Sequence, residues 1–226
     1  MEHFEGSAYG RTAQVPDEDS FLTQTAFGTP VGELLRRYWQ PVALSGELSD
    51  LPLAIKIMHE ELVVFRDLNG KVGVLDKHCC HRGASLEYGR IESEGLRCCY
   101  HGWLFNTKGI CLDQPCEPKS SDYKNKVRQP WYPTQEFGGL VFVYMGPPDK
   151  KPAFPKFNIL DQKDIKLHAY RNHTRGVVAE CNWLQIHENA VDPMHTFILH
   201  SANSGNQFTP AFSVLPDIDF KETDNS

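Results

Sequence analysis

Two stretches rich in cysteine and histidine indicate the fold of this chain: CCHRGASLEYGR at residues 79–90 and GLRCCYHGWLF at residues 95–105. Each contains a Cys and a His close together, as Cys79-x-His81 and Cys98-x-x-His101, with 16 residues between the two pairs. Thiolates and imidazoles bind zinc and iron–sulfur clusters, and the glycine after each His favours a tight loop. The spacing therefore predicts two loops that close on one metal centre. On the residues alone, structural zinc is an alternative to an iron–sulfur cluster.

The flanking sequence predicts an antiparallel sheet. Three segments are rich in β-branched residues with a period of two, and Asn69-Gly70 between the last two is a strong hairpin signal. A short amphipathic helix is predicted over residues 31–39, and residues 139–146 (GLVFVYMG) predict a further strand. The three segments are LAIKIMHEE (53–61), LVVFRD (62–67) and KVGVLD (71–76).

A second part of the chain follows a Pro- and Lys-rich boundary at residues 147–158. Beyond it, residues 165–178 predict a strand, and residues 179–190 predict a helix that Pro193 must end or kink.

The composition excludes several classes of protein. The 226 residues are 40% apolar, which is enough for one large domain or two small ones. A net charge of -6 gives no reason to expect a nucleic-acid partner, and no apolar stretch approaches the roughly 20 residues of a membrane span. The first residues lack the features of a secretory signal, so we expect a cytoplasmic protein. In that reducing compartment, seven Cys favour metal or redox chemistry over disulfides.

Residues 182–200, NWLQIHENAVDPMHTFILH, hold a further candidate metal site in the pattern Asp192-x-x-His195-x-x-x-x-His200. Residues five apart lie about 140° apart on an ideal helix, so both His can bind one metal only where the helix is broken or bulged. Pro193 supplies a reason for a break. It also makes Asp192 a candidate N-cap with Pro193 in the first helical position, an alternative that the residues leave open.

The two stretches at residues 79–90 and 95–105 resemble the ligand loops of the Rieske family. The resemblance implies that Cys79 and Cys98 hold one iron of a 2Fe-2S cluster, and that His81 and His101 hold the other. Zinc binding gives no reason for CxHRG and CxYHGW to occur together. Respiratory Rieske proteins carry a disulfide at positions occupied here by Ala84 and Tyr100, so the resemblance is to the oxygenase type.

Cys80 and Cys99 are each displaced by one residue from a predicted ligand. In an extended loop their side chains point away from the metal, so we expect small buried or partly buried thiols.

Residues 182–200 resemble the mononuclear-iron segment of Rieske ring-hydroxylating oxygenases. The resemblance implies that His195 and His200 bind non-haem Fe²⁺. It also implies that Asp192 is catalytic, linking His101 of one subunit to His195 of its neighbour. The segment DQPCEP at residues 113–118, together with GASLEYGR at residues 83–90, favours the phthalate dioxygenase-like, homo-oligomeric subgroup, for which a trimer is expected.

The implied fold class is α+β. We expect an N-terminal arm and helix over residues 1–40 and an antiparallel β Rieske domain over residues 41–150. Residues 151–226 would form the N-terminal part of an α+β, helix-grip-like catalytic domain. The third iron ligand, a carboxylate, is expected beyond Ser226. The acids near the end of the chain are expected to be solvated, namely Asp217, Asp219, Glu222 and Asp224.

The implied function is that of an oxygenase α subunit, an oxidoreductase that uses O2 to hydroxylate or O-demethylate an aromatic substrate as a monooxygenase or dioxygenase. The chain has no GxGxxG or flavin-binding signature. Electrons from NAD(P)H are therefore expected from a separate reductase, directly or through a ferredoxin. The alternative is a Rieske-type electron-transfer protein without oxygenase activity.

Overall fold

The structure is a computed structural model that describes residues 17–158, 179–202, 207, 209–219 and 221–223. The chain divides into two units, Met1–Gly176 and Val177–Ser226. The described part of the first unit contains two short helices, α1 (Ser20–Thr23) and α2 (Pro30–Leu35). Its strands are β1 (Trp39–Leu44), β2 (Leu53–Ile57), β3 (Glu60–Arg66), β4 (Val72–Asp76), β5 (Arg90–Glu92), β6 (Gly95–Arg97), β7 (Leu104–Phe105), β8 (Cys111–Asp113), β9 (Trp131–Tyr132), β10 (Thr134–Phe137) and β11 (Leu140–Tyr144).

The strands form three antiparallel sheets, which confirms the predicted sheet type. Their strand orders are β1-β11-β10, β2-β3-β4-β9 and β5-β6-β7-β8. The segment 53–61 contains a tight turn that the sequence analysis missed. Met58 and His59 both have positive φ, 47° and 65°, and connect β2 to β3. Together with the Asn69-Gly70 turn, this makes β2, β3 and β4 a meander.

Strand β3 is buried on both faces and separates two hydrophobic cores. Because side chains alternate along a strand, Leu62 and Val64 pack in one core, and Val63 and Phe65 pack in the other. The second core also contains the predicted cysteine ligands of both loops. The sheet thus supplies a rigid apolar base for the candidate metal centre.

The predicted helix at residues 31–39 is shorter than expected. It ends at Leu35, and β1 begins at Trp39. The chain leaves the helix because Trp39 pairs with Tyr144 in the β1–β11 ladder. Arg36, which follows the helix, is buried, and its guanidinium donates to the carbonyl oxygens of Thr25, Gly32 and Met58 and to the carboxylate of Glu60, 2.8 Å away. A buried cation needs such partners, and Thr25, Met58 and Glu60 come from other parts of the chain.

The described part of the second unit is helical. It contains α3 (Trp183–Ala190), α4 (Pro193–Phe197), a π-helical turn (Ile198–Ala202) and a 3-10 turn (Pro210–Ser213). The strand predicted over residues 165–178 lies outside the described residues. The combination of helices with antiparallel sheets confirms the predicted α+β class. No helix in the described ranges has the length and apolar character needed to cross a bilayer.

Candidate metal centres

The two predicted ligand loops have the same backbone hydrogen bonds. In each, the Cys N–H donates to the carbonyl oxygen five residues later, at 2.9 Å for Cys79 and 2.8 Å for Cys98. The same Cys accepts a hydrogen bond from the glycine four residues later, at 2.8 Å from Gly83 and 3.1 Å from Gly102. The loops 79–84 and 98–103 are therefore two copies of one turn.

Glycine is required at the same point of both loops. Gly83 and Gly102 have φ of 70° and 73°, a region that residues with a Cβ rarely adopt. The sequence signal CxHRG…CxYHG thus encodes the turn as well as the ligands.

The four predicted cluster ligands occupy these loops. Cys79 and Cys98 are 2% and 4% exposed, and the rings of His81 and His101 lie 4.6 Å apart between centroids. His81 also stacks on Trp103 at 4.3 Å with an interplanar angle of 4°. Nδ1 of His101 is buried and makes no hydrogen bond to the described part of the chain. A buried ring nitrogen without a partner is costly in an apolar site and is suited to a metal.

The thiol groups of Cys79 and Cys98 interact with each other. A hydrogen bond between the two thiol groups raises the pKa of Cys79, which burial raises further, and lowers the pKa of Cys98 to about 6. The pKa of His81 is lowered, mainly by burial and then by the neighbouring His101 and Arg82. Metals bind thiolates and neutral imidazoles, so the pKa shifts of Cys98 and His81 favour the forms that bind metal.

The ligand count distinguishes two kinds of metal centre. Among the described residues, no three Cys, His, Asp or Glu side chains are grouped so as to hold one metal ion. A structural zinc ion needs four ligands around a single point. A 2Fe-2S cluster with two Cys on one iron and two His on the other needs only two side chains at each iron. The residues present therefore fit a 2Fe-2S cluster better than zinc.

Two side chains that the sequence analysis missed hold the loops from outside. Gln129, before β9, bonds three backbone groups of residues 76–80. Arg97 donates to the carbonyl oxygen of Gly102 at 2.5 Å and is itself held by both oxygens of Glu92, at 2.7 and 2.9 Å. Arg97 directly precedes the predicted ligand Cys98, and this position could have indicated its contact with the second loop. No local sequence feature indicates the contact of Gln129 with the first loop.

The remaining cysteines near the loops are oriented differently. Cys80 and Cys99 are exposed while their neighbours are buried, so they point away as predicted but are more accessible than expected. Cys116 is also exposed, and its sulfur lies 3.8 Å from the carbonyl oxygen of His101.

The second candidate site begins with a helix break at the predicted proline. Helix α3 ends at Ala190, and α4 starts with Pro193 in its first position. Asp192 is the N-cap, with Oδ1 accepting from the N–H of Met194 at 2.9 Å. The break and the cap therefore occur together.

A π-helical turn at Ile198–Ala202 brings the two histidines together. The rings of His195 and His200 lie 5.4 Å apart between centroids. The wider π turn supplies the bulge that a spacing of five requires. Nδ1 of His200 lies 2.8 Å from Oε1 of Gln207, a residue that the sequence analysis did not identify. In a neutral ring this places the proton on Nδ1 and the lone pair on Nε2, the arrangement of many metal-bound histidines.

The other oxygen of Asp192 faces His195. Oδ2 lies 3.5 Å from Nδ1 of His195, too far for a well-formed hydrogen bond, and this nitrogen is buried without one. The carboxylate can therefore cap α4 and approach an imidazole at the same time. Two imidazoles with this carboxylate beside them fit a non-haem iron that takes its third protein ligand from elsewhere.

Comparisons with known proteins agree with the site chemistry. The Rieske [2Fe-2S] domain family matches residues 38–133. The chain is 48% identical to the phenoxybenzoate dioxygenase subunit alpha of Ectopseudomonas oleovorans, covering 97% of this chain and 55% of that protein. It is 40% identical to the phthalate 4,5-dioxygenase oxygenase subunit of Pseudomonas putida, covering 87% of this chain and 43% of that protein.

A solved structure supports the same relationship. The oxygenase in the reduced oxygenase–ferredoxin complex of carbazole 1,9a-dioxygenase matches with a TM-score of 0.62 and 28% identity, over 79% of this chain and 43% of that chain. This chain spans about half the length of the curated relatives it matches. The matches confirm the predicted resemblance, including its phthalate dioxygenase-like character. The chain belongs to the Rieske oxygenase family, as a relative of the oxygenase subunits, and its first unit contains the Rieske [2Fe-2S] domain.

Proposed function

We propose that this protein is the terminal oxygenase component, or α subunit, of a Rieske oxygenase system that uses O2 to hydroxylate or O-demethylate an aromatic substrate. The observation that carries the proposal is the pair of histidines, His195 and His200, joined by a π turn in the same chain as the Rieske domain. An electron carrier has no need of this second site. The related subunits are named for phenoxybenzoate and phthalate, which favours an aromatic substrate.

The cluster ligands would be Cys79, His81, Cys98 and His101, and the iron ligands would be His195 and His200. When bound, the cluster supplies single electrons, and the iron supplies open positions for O2. The chain's own residues orient these groups. Trp103 fixes the ring of His81 by stacking, and Gln207 fixes the ring of His200 through Nδ1.

Asp192 would connect the two sites. Its Oδ2 already approaches Nδ1 of His195, and the family resemblance adds His101 of a neighbouring subunit as the second partner. Nδ1 of His195, which faces Oδ2, is buried without a hydrogen bond within the described residues. Because His101 would come from a neighbouring subunit, the link requires an oligomer. We propose a trimer in the cytoplasm.

Electrons would come from NAD(P)H through a separate reductase, directly or through a ferredoxin. The carbazole dioxygenase neighbour was solved with a ferredoxin, which supports a protein donor. For the chain itself we propose an arm over residues 1–40, a Rieske domain over residues 41–150 and the start of a helix-grip-like catalytic domain over residues 151–226.

Iron analysis of the complete gene product tests the proposal. We expect three irons per chain and oxygen uptake with a reductant and an aromatic substrate. His195→Ala should remove one iron and leave the cluster absorbance intact. His187→Ala, on the neighbouring helix α3, is the control and should retain all three. Two irons in the unaltered protein, without oxygen uptake, would support the electron carrier instead.

A further inference from the structure

The amide of Gln129 is completely buried, and all its hydrogen bonds go to residues 76–80, which lead into the first ligand loop. The side chain is 0% exposed. Its Nε2 donates to the carbonyl oxygens of Asp76 and His78, at 2.9 and 2.8 Å, and its Oε1 accepts the N–H of Cys80 at 2.8 Å. A primary amide has two donor hydrogens, and both are used here together with the acceptor. The three bonds lie on both sides of the ligand Cys79.

The backbone of Gln129 is fixed independently of its side chain. Its N–H donates to the carbonyl oxygen of Gly109 at 2.9 Å. Gly109 has φ of 70°, and a Cβ there would lie 1.9 Å from the carbonyl oxygen of Gln129. The backbone at Gly109 and the backbone at Gln129 are therefore in direct contact. This contact fixes the position from which the amide of Gln129 reaches residues 76–80.

We propose that Gln129 is a positioning residue that holds the reduction potential of the Rieske cluster low by fixing the loop around Cys79. Because the N–H of Cys80 donates to Gln129, it is not available to a sulfur atom of the cluster. Hydrogen bonds to the sulfurs and solvent exposure both change the potential of such clusters. The reduced cluster carries the greater negative charge, so a released N–H or entering water would stabilise it and raise the potential.

The inference depends on the cluster in the Rieske domain and requires no oxygen chemistry. It is measured without reductase, oxygen or substrate. Its failure would therefore leave the proposed oxygenase function standing, and failure of the oxygenase function would leave this inference testable.

The experiment compares the midpoint potential and the electron paramagnetic resonance spectrum of the cluster in the purified full chain. Gln129→Met keeps a similar length and removes all three bonds. Gln135→Met is the matched control, because Gln135 is exposed in β10 and its amide donates to the carbonyl oxygen of the neighbouring Glu136. For Gln129→Met we expect a higher potential, with the equilibrium between oxidised and reduced cluster changed at least about threefold. This equals about 28 mV at 59 mV per tenfold change for a one-electron couple.

We also expect shifted resonance positions in Gln129→Met and unchanged values in Gln135→Met. A Gln129→Met protein with the potential and spectrum of the unaltered protein, and only a lower unfolding temperature, would overturn the proposal and leave a packing role. If Gln129→Met does not retain its cluster, Gln129→Asn decides, because it keeps the amide but shortens its reach. A raised potential in that variant supports the proposal, and an unchanged potential overturns it.

Discussion

At the scale of single residues, the two oxygens of Asp192 have separate environments. Oδ1 accepts the N–H of Met194 and starts helix α4, and Oδ2 lies 3.5 Å from Nδ1 of His195. The sequence predicted the cap, because a carboxylate before Pro193 is a local signal. It could not predict the contact of Gln207 with His200, because the two residues lie seven apart and no local motif links them.

Asn at position 192 separates the two roles of this carboxylate. Asn is also a good N-cap, so Asp192→Asn should keep α4 and the cluster absorbance while removing the negative charge beside His195. We expect turnover to fall about 10- to 100-fold, as for other groups that orient metal ligands. Asp192→Ala should in addition lose about 1 kcal/mol of folding free energy. Turnover is measured as substrate-dependent oxygen uptake.

The control for this comparison is Asp219→Asn, an exposed carboxylate paired with Lys221. It should change neither stability nor turnover. Full turnover in Asp192→Asn would contradict the link between the two metal sites.

At the scale of secondary-structure elements, the hairpin β5–β6 carries the second ligand loop. Arg97 at the end of β6 contacts Glu92 of β5 and the carbonyl oxygen of Gly102 in the loop. Hydrogen bonds from Arg97, and then from Arg90, lower the pKa of Glu92 to about 2. The charged pair thus ties the loop to the hairpin.

This pair gives the stability of the protein a specific dependence on pH. A carboxylate with a lowered folded-state pKa stabilises the fold above its ordinary pKa of 4.5, and this stabilisation is lost as the pH falls towards about 2. Glu92→Gln should therefore cost about 1 kcal/mol at pH 6 and less at pH 3. Urea unfolding at both pH values measures the difference. An equal cost at the two values would show that the ion pair is not its source.

Glycines at turns permit a matched comparison of packing. Gly70 and Gly109 both have positive φ, but a Cβ at Gly70 meets nothing within 4 Å, whereas at Gly109 it meets the carbonyl oxygen of Gln129. Gly70→Ala should cost about 1 kcal/mol from backbone strain. Gly109→Ala should cost about 1–3 kcal/mol more, because the segment around Gln129 must move. Equal losses of unfolding free energy would show that the contact with Gln129 is unimportant.

The elements also show what local sequence can predict. The Asn69-Gly70 turn and the β-branched segments are local signals, and the strands followed them. The length of helix α2 was overestimated, because the apolar stripe in the sequence continues past Leu35. The stripe does not show that Arg36 pairs with a residue as distant as Glu60. Gln129 was missed for the same reason, since its contact with Cys80 joins residues 49 apart in sequence. Long-range pairing of this kind leaves no periodic pattern.

At the scale of the whole molecule, two metal-binding patterns occur in one chain and belong to separate units. The sequence predicted the two ligand turns and the helix break, because glycine and proline encode such features locally. The acids Asp217, Asp219 and Glu222 are exposed, as expected, and Asp224 lies outside the described residues. Among the described residues, no group of three metal-binding side chains occurs there. The third iron ligand, expected beyond Ser226, stays a prediction.

The central claim is that Cys79, Cys98, His81 and His101 hold a 2Fe-2S cluster. The most direct test is electron–nuclear double resonance on the reduced protein labelled with ¹⁵N-histidine, together with iron and acid-labile sulfide analysis. We predict a cluster whose resonance shows coupling to two histidine nitrogens, lost on His81→Ala or His101→Ala and retained in the control His78→Ala. Bound zinc without labile sulfide, or a cluster without histidine coupling, would contradict the claim.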